Sequence, residues 1–116
     1  MTLMLTLLCR DEADILESML RFHLDQGVAL IIATDNGSVD GSLSLLQRYE
    51  RMGKLRLIQE PEHSHDQAVW VTRMARMAAD LGADWVINSD ADEFWWPAHG
   101  SLASTLAELP STVQAV

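Results

Sequence analysis

Four short apolar runs, each cut off by a polar turn and separated by helical periodicity, limit what this chain can become. Leu3 to Cys9 is apolar except at Thr6, the pattern of a parallel strand covered on both faces. Val28 to Ala33 repeats it, and Trp85-Val86-Ile87 predicts another short buried strand. Lys54 to Gln59 alternates less cleanly, which predicts a strand nearer the sheet edge, ended by Glu60-Pro61. Helical stripes fill the gaps: Ile15, Leu16, Met19, Leu20 and His23, then Ser42, Leu45, Leu46 and Tyr49, then Trp70, Val71, Met74, Met77, Ala78 and Leu81. Asp11 is placed to cap the first helix. Gly27, Gly53 and Gly82 end the three helices, and Ser101 to Leu109 predicts a last short one before Pro110. The order β-α-β-α-β-α-β predicts a single three-layer α/β/α domain over residues 1–116, with a mainly parallel sheet and right-handed crossovers.

The 116 residues suffice for one modest core. A net charge of −9 without a basic cluster argues against nucleic acid and anionic membrane surfaces as partners. A phosphorylated ligand stays compatible if a metal bridges the charges. The single cysteine, Cys9, excludes an internal disulfide and fits a reducing compartment, so a cytoplasmic location is expected. Met1 to Leu8 is too short to span a bilayer and lacks the basic flank of a signal peptide. Thr112 to Val116 reads as another strand beginning. The chain is therefore expected to be a fragment, with that edge open to a second copy.

In a parallel sheet the carboxyl ends of the strands lie on one edge, where α/β proteins bind ligands. Three strand ends here carry acids: Asp11 and Glu12, Asp35, and Asp90, Asp92 and Glu93. Clustered carboxylates repel unless a cation or proton intervenes. Hard cations such as Mg²⁺ or Mn²⁺ take oxygen ligands and bridge carboxylates to phosphates. Asp90 and Asp92 are the candidate metal ligands. Asp35 could accept from a base N–H or a ribose hydroxyl, and Arg73 could face a phosphate. Each residue also has a plainer reading: Asp35, Ser38 and Asp40 as caps of the turn, Arg73 as an exposed helix charge, and His63, His65 and Asp66 as solvated loop. Trp95 and Trp96 suit either a sugar face or packing. Cys9 reads as a buried strand residue without a His partner.

At these residues the sequence resembles the nucleotide-sugar-binding half of the family 2 glycosyltransferases, which have the GT-A fold. Asp11-Glu12-Ala13-Asp14 is similar to that family's Asn-Glu opening, with Asp11 in place of Asn. Asp35-Asn36-Gly37-Ser38-Val39-Asp40-Gly41-Ser42 resembles its Asp-Asp-Gly-Ser-Thr-Asp-Gly-Thr turn, with Asn36 replacing the second Asp. Arg73 stands near the Arg that precedes its acidic motif, and Asp90-Ala91-Asp92-Glu93-Phe94 resembles its Asp-x-Asp motif. The resemblance spans Leu3 to about Pro97. It implies a nucleotide-diphosphate sugar as donor, with Glu12 and Asp35 at the nucleoside and Asp90 near ribose and metal. Asp92 would ligate Mn²⁺ or Mg²⁺, for transfer to the hydroxyl of an unidentified acceptor. The family's acceptor-binding half and general base follow the Asp-x-Asp motif. Here Glu108 is the only carboxylate after Trp96, so the expectation is a truncated relative that binds donor and transfers poorly.

Three other classes share parts of this pattern. A phosphoacceptor receiver domain needs an Asp after the third strand and a Lys after the fifth. This chain has Gln59-Glu60 and a single lysine, Lys54. A nucleotidyltransferase would carry a Gly-rich basic loop where Arg10-Asp11-Glu12-Ala13 stands. A non-catalytic GT-A-fold module serving nucleotide binding or protein interaction remains the alternative, and Phe94-Trp95-Trp96 would suit it.

Overall fold

β1 (Leu3–Cys9) occupies an interior position of a four-stranded sheet in the computed structural model, which describes residues 1–60 and 66–115. Its partners are β2 (Val28–Asp35) and β4 (Trp85–Asp90), and β3 (Leu55–Gln59) lies outside β2. All three pairings are parallel, in the order β3-β2-β1-β4. α1 (Ala13–Asp25), α2 (Ser42–Arg51) and α3 (Gln67–Asp80) alternate with the strands, and α4 (Leu102–Ala107) follows.

The period of two along β1 sorts the core into two layers. Leu3, Leu5, Leu7 and Cys9 pack with Leu16, Met19 and Leu20 of α1, Leu46 and Tyr49 of α2, and Leu102 and Leu106 of α4. Met4 faces the other way, with Ile32, and meets Met74 and Ala78 of α3. The three-layer α/β/α expectation therefore holds. The reversal between β1 and β4, with α3 crossing on the face opposite α1, creates a switch point between those two strands. No helix among the described residues is long and apolar enough to cross a membrane.

Three local expectations are corrected. Asp11 does not cap α1: its φ is 54°, the N-cap position belongs to Glu12, and the Glu12 side chain makes no capping bond. β4 is not a buried strand: it is the sheet's other edge, so Trp85, Val86 and Ile87 are only half-buried and Ser89 alone is buried. Thr112 to Ala115 form no strand, and the Val113 N–H turns back to the Pro110 carbonyl at 3.0 Å. Of the expected loop from Glu62 to Asp66, residues 62–65, with His63 and His65, lie outside the described residues, as do Pro61 and Val116; Asp66 is the N-cap of α3.

α4 docks where α1 ends. The Leu102 N–H donates to Gln26 Oε1 and the Ala103 N–H to the Gln26 carbonyl, both at 3.1 Å. Gly27 makes this approach possible, since its φ is 92° and a Cβ there would fall 2.5 Å from the Ala103 Cβ. Gly27→Ala is expected to cost about 1–2 kcal/mol from the left-handed backbone alone, and more from the clash. Urea denaturation checks it; an unchanged midpoint would contradict the docking described.

Candidate ligand site at the carboxyl edge

The β1–α1 and β2–α2 loops meet at the carboxyl edge and are held together by side chains. The Asp11 N–H donates to Ser38 Oγ at 2.9 Å, and Asp11 Oδ1 accepts from the Val39 N–H at 2.7 Å. The Glu12 N–H donates to Ser42 Oγ at 3.0 Å. Asp40 bridges two helix starts: Oδ2 accepts from the Ala13 N–H at 3.0 Å, and Oδ1 from the Ser42 N–H and hydroxyl at 2.9 and 2.7 Å. The Ala13 N–H, followed by the Ser42 hydroxyl and N–H, holds the Asp40 carboxyl below its ordinary range.

Asp35 is 2% exposed and fully engaged by Ser38, whose N–H and hydroxyl reach Oδ2 and Oδ1 at 3.1 and 2.5 Å. Glu93 turns back on the end of β4: its Oε1 accepts the Asp90 N–H at 2.8 Å. The carboxylates of Glu12, Asp90 and Asp92 are different. They take no hydrogen bond or ion pair from the described residues, and all three line one open pocket of about 370 Å³. Cys9, Arg10, Asn36, Gln67 and Trp70 complete most of its wall. It lies outside the carboxyl ends of β1 and β4, at the switch point.

The charge there is felt. Partial burial raises the Glu12 carboxyl above its usual range, and the repulsion of Asp92 adds to it, ahead of Asp14, Asp40 and Asp11. The Cys9 thiol is pushed up to about 12 by burial, with Asp35 adding, so it stays protonated and is no nucleophile.

Of the residues singled out in the sequence, the structure therefore brings Glu12, Asp90 and Asp92 together. Asp35 sits behind its turn. Arg73 is not on the pocket wall: its Nη2 pairs with Glu60 Oε1 at 2.6 Å, and it borders a shallow groove on the outer side of α3. Glu108 follows α4, which packs at the opposite edge of the sheet. Gln67 and Trp70 also line the wall, without a motif in the sequence that marks them for it. Trp70 carries the spacing of a core residue and is one, at 4% exposed, while also bordering the pocket. No family model, curated protein or solved structure matches this chain.

The Glu12 shift has a definite sign in stability. The folded state binds the Glu12 proton more tightly than the unfolded chain, so this group favours folding at low pH. That contribution is lost as pH rises through the raised folded value. At neutral pH the ionised Glu12 is a cost. Glu12→Gln is expected to raise Tm at pH 7, and the gain should vanish below the ordinary glutamate value of 4.5. Thermal unfolding across pH checks this; a pH-independent change would point to packing instead.

Proposed function

We propose that the pocket between the ends of β1 and β4 binds a nucleotide-activated sugar. In this reading the chain is the donor-binding part of a GT-A-type, family 2-like glycosyltransferase. The observation that carries the proposal is the convergence at the switch point of three carboxylates, Glu12, Asp90 and Asp92, that have no hydrogen-bond or ion-pair partner among the described residues. A negatively charged wall of this kind is a poor receptor for a diphosphate unless a cation stands between them.

The donor set suits Mg²⁺ or Mn²⁺, because it offers oxygen ligands only. No group of three or more His, Cys, Asp or Glu residues among those described is close enough to hold an ion by itself. Two carboxylates, Asp90 and Asp92, supplemented by diphosphate oxygens and water, match the usual way Mg²⁺ is bound. When bound, the ion would supply Lewis-acid stabilisation to the leaving diphosphate. Glu12 presents the carboxylate for nucleoside or ribose hydroxyls. Asp35 would reach a nucleoside only if Ser38 turned away, so its role in this reading is to hold the turn that carries Asn36 to the pocket. The acceptor and the general base have no assigned residues in this chain.

The second reading is a non-catalytic interaction module of the same fold. It draws on the engaged Asp35 carboxylate and on Trp96, which is 75% exposed. One experiment separates the two. In calorimetric titrations of UDP and GDP, binding is expected only with Mn²⁺ or Mg²⁺ present, and Asp92→Ala should weaken it at least about tenfold, roughly 1.4 kcal/mol. Circular dichroism confirms that the variant is folded. Absence of metal-dependent binding to the folded wild type would sink the donor-site reading and leave the interaction module.

A further inference from the structure

His23, at 0% exposed, is the most deeply buried ionisable side chain among the described residues. It holds a core position in the apolar stripe of α1, one turn after Met19, and both its ring nitrogens are bonded. Nδ1 lies 3.0 Å from the Met19 carbonyl, and Nε2 accepts from the Trp95 N–H at 3.2 Å. These partners fix the tautomer. A carbonyl only accepts, so Nδ1 carries the proton; a backbone N–H only donates, so Nε2 is bare. The ring fits here only when neutral. A second proton would sit on Nε2, face to face with the Trp95 N–H, and would bring a charge into a site without water.

The Nε2 bond ties α1 to the segment that follows the turn of Asp90 and Asp92. Aromatic rings close around it: Phe22 meets His23, Phe94 and Trp96 at centroid distances of 5.1, 5.4 and 4.5 Å. The Trp95 indole N–H reaches back to Ser89 Oγ at 3.2 Å. No charge offsets a proton on the ring. α1 carries Glu17, Arg21 and Asp25 near it in sequence, and the chain after β4 carries Glu93, while β1 and α4 contain no charged residue. None of these charges contributes to the state of the imidazole: burial lowers it below its ordinary 6.5, and only the Met19 carbonyl opposes that.

We propose that His23 is an acid-sensitive clasp, which while neutral holds the segment Phe94–Trp96 on α1 and on protonation releases it, freeing the far end of the turn that carries Asp90 and Asp92. Released, the ring titrates at its ordinary value; clasped, it binds the proton less tightly. The clasp is therefore at full strength above 6.5 and is lost as pH falls from there toward the lowered clasped value. None of the strand pairings passes through residues 94–96, so the segment opens without unfolding the sheet. The clasp operates whatever the pocket binds.

Residue-resolved amide hydrogen exchange on the whole chain, corrected for the intrinsic pH dependence of exchange, tests the proposal. From about pH 7.5 to about pH 5.5 the protection of the Trp95 amide is expected to fall several-fold, while that of Leu5 in β1 holds. His23→Gln keeps an oxygen acceptor for the Trp95 N–H and does not titrate, so its Trp95 protection should stay level over the same range. The variant retains the chain's other histidines, which assigns the effect to His23. A flat wild-type profile overturns the proposal. So does a fall that His23→Gln shares, or a loss of Leu5 protection in step with Trp95. Should His23→Gln not fold, the ring nitrogen shifts of the wild type decide. An Nδ1–H tautomer at neutral pH, protonating as the Trp95 amide opens, supports the clasp; an Nε2–H tautomer, or a titration that leaves the Trp95 amide untouched, overturns it.

Discussion

The fold depends on managing like charge at one sheet edge. A parallel sheet built by successive βα units must start its helices where its strands end, and this chain places an acid at nearly every such junction. The structure neutralises most of them with backbone donors. Asp11 takes the Val39 N–H, Asp35 takes Ser38, Asp40 takes Ala13 and Ser42, and Glu93 takes Asp90. The Asp11–Val39 and Asp40–Ala13 bonds also lace the β1–α1 loop to the β2–α2 loop. Glu12, Asp90 and Asp92 are left over, and they share a pocket. The surplus is a residue of the accounting, and it is what gives the edge a chemical character beyond architecture.

The architecture was largely legible because it is written in local periodicity. The apolar run of β1, interrupted only by Thr6, and the weaker alternation of β3 correctly separated an interior strand from an edge strand. The apolar stripes of α1, α2 and α3 marked the faces that meet the sheet. β4 misled for an equally physical reason. Trp85-Val86-Ile87 has the composition of a covered strand, and its exposure comes from lying outside β1 with no strand beyond it among the described residues, which local composition does not encode.

The site was legible only in part. The residue types and their order along the chain singled out Glu12, Asp90 and Asp92, and these do converge. The sequence could not separate them from Asp11 or Asp35, because that distinction rests on bonds to Ser38 and Val39. For Asp11 those partners lie 27 and 28 residues away. Nor could it reveal that Trp70 serves two masters, since a helical stripe assigns a side chain to the core without saying which end of the core it closes.

The bond between Thr6 and Asn88 spans 82 residues. β1, β2 and β3 come together through sequence-adjacent βα units, whereas β4 returns past all of them to reach β1. Closing a loop of that length costs more entropy, and such non-local pairings slow folding. The expectation is that β4 joins late. The repulsion between Glu12 and Asp92 then burdens only the last stage of chain closure. It spares the collapse of the first three strands, which gather while those acids are still far apart.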